Sequence, residues 1–424
     1  MNIFLNAHLT LFFNKTDHQE LKQGQPAFFL EGEKRQQLFE EPTHFLNSYY
    51  VYGSTAESPH TWAKAAYSLK SWFQYLQAIN RDWPDASEED RCEYRDAYLT
   101  GISPKTGRPY SGSGVRDSMT VVRLFYKHCS GNGLYYGDIG GVVPASTDHR
   151  PMDQDALVHT RLLPQTKSRD RALPKVRPGT KIHPIRVQDL TALLQYIGPQ
   201  AGDRRGDERP SRDRLICDLG WVVGLRLDEI NNLTTLQFLN LNADTSTPLV
   251  NMPLTIHNGK GKKTRQVAIP TWLVVDALAY IAGERAQSLK AKKTKSRNFS
   301  TRLLLAHASS KSAGSPITNG AIQKMFRQSC FATGLINTVD KKDLTANIDI
   351  RAKVPKHSIH DLRHTYAVLT YHAERAGGNS EPWKKIQAQL GHENLQTTID
   401  TYLKYVEIFN EKPGLIDVRK MIGL

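Results

Sequence analysis

The chain has 424 residues, of which 39% are apolar, and this is enough for two or three domains that each bury a core. Lys and Arg outnumber Asp and Glu by 56 to 42, so the formal charge is +14 and the expected partner is a polyanion, nucleic acid first. Four cysteines without paired spacing exclude a disulfide framework and a zinc knuckle, and no apolar run is long enough for a membrane span. We therefore expect a cytoplasmic, nucleoid-associated protein with no membrane partner.

The first 140 residues divide into two predicted regions. Residues 1–54 mix short apolar runs with acidic turns, and we predict an N-terminal appendage to which the pattern assigns no role. From Trp62 to Leu76 the apolar residues repeat with a helical period, and a second amphipathic helix has its apolar face between Val115 and Cys129. We therefore predict a small all-helical domain over residues 55–140.

Residues 141–182 lose periodicity and gain prolines, as is typical of an extended linker. Between positions 161 and 181 the linker carries seven basic residues and one acid, Asp170. Charge patterning leaves two interpretations open, a solvated tether and a segment that follows a DNA backbone between two domains.

A second domain is predicted over residues 183–424. Helices are expected over 187–197 and 211–223, and the glycines Gly198 and Gly224 follow at positions where they end a helix.

A β-hairpin is the one strand signal in this second domain. Residues 249–257 and 265–270 flank Asn258-Gly259-Lys260-Gly261, which has the composition of a hairpin turn. The rest is predicted to be helical, with loops at 290–302 and 335–356. The expected fold class is therefore mostly α with a small β-sheet.

One short segment near the C-terminus combines two histidines with an arginine. His360, Arg363 and His364 are three and four positions apart, so all three can share one face at the start of a helix. Two histidines at this spacing also occur in zinc hydrolases, but Asp361 replaces the expected glutamate and Arg363 would lie beside the metal. Phosphoryl transfer is the alternative, because a guanidinium fork matches phosphate oxygens. A purely structural histidine pair remains open.

A second arginine provides a partner for such a phosphate clamp. Arg226 comes just after Gly224, and Glu229 lies three residues further on, where it can hold the arginine side chain. A surface salt bridge is the alternative interpretation of this motif.

In chain order, these segments resemble the catalytic domain of tyrosine recombinases, the integrase family, across residues 183–405. Five fragments carry the resemblance: Gly224-Leu225-Arg226 with Glu229, Gly259-Lys260-Gly261, His360-Asp361-Leu362-Arg363-His364, Leu390-Gly391-His392, and Thr397 through Tyr402. The segment 55–140 resembles the family's core-binding domain in position and helicity. The resemblance implies a helical core DNA-binding domain followed by a mixed α/β catalytic domain.

The resemblance also implies a role for each catalytic residue. Arg226 and Arg363 would clamp the scissile phosphate. Lys260, with Lys262 and Lys263 as nearby competitors, would protonate the departing 5′ oxygen.

The two remaining histidines and one tyrosine complete the implied site. His360 would assist proton transfer, and His392 would donate a hydrogen bond to the phosphate or orient the nucleophile. Tyr402 would be the nucleophile, with Tyr405 as its rival, and attack would give a 3′-phosphotyrosine and a free 5′ hydroxyl. No metal and no cofactor is implied.

The implied activity is site-specific DNA strand exchange that integrates or excises a mobile element. The partners would be double-stranded DNA at a specific recombination site and other copies of the chain in a tetramer, with room for accessory DNA-bending proteins. The helices near 112–130 and 318–331 are candidates for reading the site. Residues 406–424 would pack on a neighbouring subunit or on their own domain. A type IB topoisomerase and a DNA-binding regulator without cleavage are the remaining alternatives.

Overall fold

The computed structural model describes residues 3–17, 20–32, 36–53, 58–103, 109–141, 170–174, 183–203, 205–257, 264–292, 299–343 and 348–409. The chain forms two compact units. Unit 1 contains Met1–Gly179 together with Val339–Ala352, and unit 2 contains Thr180–Thr338 together with Lys353–Leu424.

The N-terminal part of unit 1 is a small antiparallel sheet with two short helices. The strands are β1 (His8–Phe13), β2 (Pro26–Glu31) and β3 (Gln36–Leu38), with β2 in the middle, and the helices are α1 (Ile3–Asn6) and α2 (Glu40–Leu46). Phe28 and Phe39 contact Phe73 of the long helix that follows α2, at ring-centroid distances of 6.0 and 5.2 Å. Residues 1–54 therefore share one hydrophobic core with the helices that follow them.

Three long helices supply most of the remaining core of unit 1: α3 (Pro59–Ala78), α4 (Glu88–Thr100) and α5 (Gly112–Gly131). The predicted apolar faces of α3 and α5 are buried, which confirms both helices. Helix α4 was not predicted, because its sequence is mostly charged and Tyr94 is its only fully buried apolar residue.

The basic linker is attached to unit 1 through its single acid. Arg91 of α4 is fully buried and donates a hydrogen bond of 3.0 Å to Asp170, while Arg123 lies 3.5 Å from the same carboxylate. Ala172 is also buried in the core. The remaining residues of the predicted linker, 142–169 and 175–182, lie outside the described part of the chain.

A β-hairpin replaces the loop that we predicted at 335–356, so that prediction was wrong. Its strands are β7 (Ile336–Asp343) and β8 (Ile348–Pro355), and Lys342 of β7 pairs in parallel with Gly101 of the two-residue strand β4 (Gly101–Ile102) in unit 1. The strands were missed because their side chains are exposed or only half-buried, so they form no apolar run.

Unit 2 is built from helices around one two-stranded antiparallel hairpin. Strands β5 (Asn251–Ile256) and β6 (Arg265–Pro270) pair from Asn251 opposite Pro270 to Ile256 opposite Arg265, which confirms the predicted hairpin. The helices are α6 (Val187–Ile197), α7 (Ser211–Trp221), α8 (Leu227–Asn232), α9 (Thr235–Leu239), α10 (Thr271–Tyr280), α11 (Ala286–Lys290), α12 (Asn319–Ala332), α13 (His360–Ala376), α14 (Pro382–Leu390) and α15 (Leu395–Phe409). The expected fold class, mostly α with small sheets, is confirmed.

The core of unit 2 has a large part and a small part. The large part lies between α6, α7, α10, α12 and the hairpin. The small part joins α13, α14 and α15 and contains Tyr366, Ile386, Leu390 and Tyr402. Among the helices of the described residues, none is long and apolar enough to cross a membrane.

Candidate active site

The turn between α7 and α8 places the first predicted arginine. Gly224 has φ +75°, and a Cβ atom there would lie 2.6 Å from the ring of Tyr366 and 3.0 Å from Leu390. Only glycine allows this close approach. Arg226 directly precedes α8 as its N-cap, and its backbone N–H donates to Oε2 of Glu229 at 2.9 Å while its Nη1 donates to Oε1 at 2.9 Å.

The second predicted arginine lies one turn inside α13 and is almost completely buried. Arg363 has 2% of its side chain exposed. Its Nη1 donates to the carbonyl oxygen of Gly224 and its Nη2 to that of Leu390, both at 2.6 Å. Burial and the neighbouring charge of Arg226 lower the pKa of Arg363 to about 10. This guanidinium is therefore a buried charged group that is held by two backbone carbonyl oxygens.

Glu229 joins the two arginines, and a third arginine that we did not predict completes its coordination. Arg265, the first residue of β6, donates to both Glu229 oxygens at 2.7 and 2.9 Å. Nη1 of Arg363 lies 3.9 Å from Oε2 of the same carboxylate. Burial raises the pKa of Glu229, but the hydrogen bonds from Arg265 and from the Arg226 N–H outweigh it and bring the pKa to about 2. The carboxylate is therefore ionised at any working pH.

His392 adjoins Arg363 from the loop after α14. Its Nε2 lies 3.5 Å from Nη2 of Arg363, and its Nδ1 lies 2.8 Å from the hydroxyl of Thr398. Since a guanidinium only donates, Nε2 is the acceptor and Nδ1–H donates to Thr398. Burial and the charge of Arg363 lower the pKa of His392 to about 4, so the ring is neutral at physiological pH.

Tyr402 is buried in this site, with 1% of its surface exposed. Its hydroxyl lies 2.9 Å from Nδ1 of His364, and its ring is parallel to that of His392 at a centroid distance of 6.5 Å. Burial raises the pKa of Tyr402 to about 12, although the charges of Arg363 and Arg226 act in the opposite direction. The phenol is therefore protonated in this state.

His360 and His364 occupy successive turns of α13 but have different surroundings. Their rings meet edge to face at 4.7 Å. His360 is exposed, whereas His364 is buried, and burial together with the neighbouring His360 lowers the pKa of His364 to about 4. At the start of α13, Asp361 accepts a hydrogen bond from the N–H of Ser358 at 2.8 Å.

The structure thus brings Arg226, Arg363, His392 and Tyr402 together, with His360 at the edge. Lys260, Lys262 and Lys263 fall outside the described residues, as do positions 410–424 of the C-terminal segment. Tyr405 has a buried hydroxyl without a hydrogen-bond partner among the residues described.

Three residues of the site were not among our candidates. Arg265, His364 and Thr398 contact Glu229, Tyr402 and His392. His364 was named as one of a histidine pair, but helical spacing alone did not assign it to Tyr402. The zinc hydrolase alternative gains no support, because His364 is engaged with Tyr402 and no group of three metal-binding side chains occurs within the described residues.

Comparison with known proteins supports the resemblance found in the sequence. The model of the phage integrase family matches residues 185–407. The comparison with curated proteins gives no match. A solved lambda integrase fragment, a dimer bound to a COC′ core site, is 12% identical and matches 87% of this chain and 95% of that one with a TM-score of 0.50, which shows a similar fold.

Two further solved structures match with lower TM-scores. The XerA recombinase is 17% identical, over 88% of this chain and 99% of that one, with a TM-score of 0.33. The Tn1549 transposon integrase in complex with circular intermediate DNA is 15% identical, over 81% of this chain and 93% of that one, with a TM-score of 0.41. Because the family match covers more than half of the 424 residues, the chain belongs to the phage integrase family of tyrosine recombinases.

Proposed function

We propose that this chain is a site-specific DNA recombinase that cleaves and rejoins strands through a 3′-phosphotyrosine on Tyr402, and that its task is to integrate or excise a mobile element. The observation that carries the proposal is the convergence of Tyr402, His392 and Arg363 on one buried point, with Arg226 joined to Arg363 through Glu229. A phenol beside two guanidinium groups can attack a phosphodiester whose charge those cations neutralise.

The bonds exchanged in this reaction balance without an external energy source. The Tyr402 oxygen forms a bond to phosphorus, the bond from phosphorus to the 5′ oxygen breaks, and the phosphotyrosine retains its energy for rejoining. The hydroxyl proton of Tyr402 passes to a histidine or to solvent, and His360 is the predicted assistant. Lys260 remains our candidate for protonating the 5′ oxygen.

The phosphate would be bound at the exposed side of the clamp. Arg226 has 26% of its side chain exposed, whereas Arg363 is almost completely buried. We therefore assign first contact with the phosphate to Arg226 and stabilisation of the charge that develops in the transition state to Arg363. The hydrogen bond with Thr398 fixes the orientation of the His392 ring. We propose that His392 completes the set of groups around the phosphate.

Tyr402 has to leave its present contact before it can act. Its hydroxyl is buried and hydrogen-bonded to His364, so a DNA phosphate cannot reach it in this arrangement. We propose that DNA binding and assembly of a tetramer shift α15 and expose the hydroxyl.

We propose that α5 and α12 recognise the DNA sequence, and that Lys and Arg side chains of the chain contact the DNA backbone. On α12, Gln323, Lys324 and Gln328 are exposed and can face a groove. Asn319 at the start of α12 is not assigned this role, because its amide donates to Asp228 and its carbonyl accepts from Asn231 at 2.8 Å.

The test uses a pool of nicked duplexes with a randomised core, from which cleavage releases a short fragment so that rejoining cannot follow. Wild-type protein should give a protein-DNA adduct that survives SDS, and mass spectrometry should locate the nucleotide on Tyr402. Tyr405→Phe is the matched control and should still form the adduct, whereas Tyr402→Phe should not. An adduct with Tyr402→Phe would refute the nucleophile, and no adduct with wild type would favour a regulator that binds without cleavage.

A further inference from the structure

Arg265 is the residue whose contacts the proposed chemistry leaves unexplained. Both of its terminal nitrogens bind Glu229, its Nε is buried without a partner among the described residues, and 17% of its side chain is exposed. Because both of its terminal nitrogens bind Glu229 and its Nε is buried, we assign Arg265 no direct contact with a phosphate. Its effect on the site must pass through the carboxylate.

The carboxylate of Glu229 could otherwise compete with DNA for Arg226. Arg226 makes one side-chain hydrogen bond to the described residues, from Nη1 to Glu229, while its Nη2 and Nε make none. A carboxylate prefers a two-pronged contact with a guanidinium, which would occupy the edge that a phosphate needs. Arg265 already provides such a two-pronged contact, with one terminal nitrogen on each Glu229 oxygen.

Removal of Arg265 would leave a nearly buried anion without its main partner. Glu229 has 3% of its side chain exposed, and its nearest remaining cations are Arg226 and Arg363, the latter at 3.9 Å. A buried charge that loses one partner is strongly driven to find another. Glu229 would therefore draw on the two arginines that have to face the phosphate.

Arg265 also contacts a third fragment of the site. A Cβ atom on Gly391, which has φ +66°, would lie 2.8 Å from Cδ and Nε of Arg265. The glycine before His392 therefore leaves the space that the Arg265 side chain occupies. Through one side chain, the first residue of β6 meets both Glu229 and the loop that carries His392.

We propose that Arg265 is a positioning residue that saturates Glu229 and thereby keeps one edge of Arg226 available to a DNA phosphate. This inference rests on the proposed function and adds to it a residue that acts on the phosphate site through another side chain.

The test is a suppressor experiment on the nicked duplex recovered from the pool above. Arg265→Met should slow adduct formation at saturating duplex on the order of 100-fold, because a small displacement of a catalytic group has effects of that size. Adding Glu229→Gln removes the unopposed charge and should restore the rate by about tenfold over Arg265→Met alone. Glu229→Gln by itself should reduce the rate less than Arg265→Met does.

The matched control is the Arg214 and Asp218 pair in the same unit. Its side chains are 19% and 0% exposed, close to the 17% and 3% of Arg265 and Glu229, but the pair lies outside the site. Arg214→Met should leave the adduct rate of the folded protein unchanged, and Asp218→Asn should have no suppressing effect. Arg265→Lys, which keeps one ion pair, should be intermediate and should also improve with Glu229→Gln.

The outcomes separate this inference from the proposed function. If Arg265→Met is as fast as wild type, or if Glu229→Gln fails to improve Arg265→Met and Arg265→Lys, then Arg265 has only a structural role. If wild type forms no adduct, the proposed function fails. The inference is then judged by affinity for the unselected duplex pool, which Arg265→Met should weaken and Glu229→Gln should restore.

Discussion

Asp276 of α10 is a buried carboxylate whose ionisation should cost unit 2 much of its stability. It has 4% of its surface exposed, its Oδ1 accepts a hydrogen bond of 3.2 Å from the N–H of Gly202, and its Oδ2 has no partner among the described residues. Burial and the nearby charge of Asp218 raise its pKa from 3.8 to about 6. The folded state therefore binds this proton more tightly than the unfolded state does.

The sign and the size of the effect follow from that difference. Ionisation costs nothing below the unfolded pKa, and the cost grows as the pH rises from 3.8 to about 6 and then stays constant. At pH 8 it amounts to about 3 kcal/mol, and at pH 5 to about 1.5 kcal/mol. Asp276→Asn stays neutral and keeps the Oδ1 acceptor, so it should exceed wild type in stability by about these amounts.

The assay is urea unfolding at pH 5 and pH 8, followed by hydrogen exchange and mass spectrometry of peptides from α10. Any constant offset of the asparagine cancels when the two pH values are compared. Asp244→Asn is the control, because Asp244 is exposed and hydrogen bonds from Ser246 lower its pKa, so this variant should show no gain. A difference between Asp276→Asn and wild type that does not grow from pH 5 to pH 8 would refute the reasoning.

Three further predictions concern the candidate site. Burial lowers the pKa values of His364 and His392 to about 4, with a further contribution from His360 for His364 and from Arg363 for His392. The adduct rate should therefore show no inflection near pH 6.5. An inflection near pH 6.5 that disappears in His392→Asn would contradict this prediction. Gly224→Ala should destabilise unit 2 by about 2–3 kcal/mol in urea unfolding, because its Cβ would meet an aromatic ring at 2.6 Å in a left-handed backbone conformation; a loss under about 0.5 kcal/mol would count against it. Arg363→Lys should cost about 2–4 kcal/mol in the same assay, since one ammonium cannot reach both buried carbonyl oxygens. Unchanged stability of Arg363→Lys would show that those bonds matter little.

The helices and the hairpin that carry the site could be predicted because each obeys a local rule. The apolar face of α5 repeats with a period that only a helix satisfies, and Gly198, with φ +119°, ends α6 where the sequence indicated. Elements with few buried side chains have weaker patterns in the sequence. Strand β8 alternates Ile348, Ile350, Ala352 and Val354 with charged residues, a period of two that was readable but lies on an exposed surface.

Partners distant in the chain could not be predicted. Asp170 was visible as the single acid of a basic segment, but its partner Arg91 lies 79 residues earlier and has no local mark. In the same way, His360 and His364 share one helical face, and helical spacing does not decide which of them meets Tyr402.

By itself, the sequence determined the order of the site fragments, the glycines that shape the turns around them, and the family to which that order belongs. These features depend on neighbours along the chain, whose geometry follows from backbone rules. Tertiary structure alone decided that His364 holds the Tyr402 hydroxyl, that Arg265 binds Glu229 across 36 residues, and that the proposed nucleophile is buried. Such contacts depend on how α13, α15 and β6 pack together, and packing is the sum of many small apolar contacts that no single motif encodes.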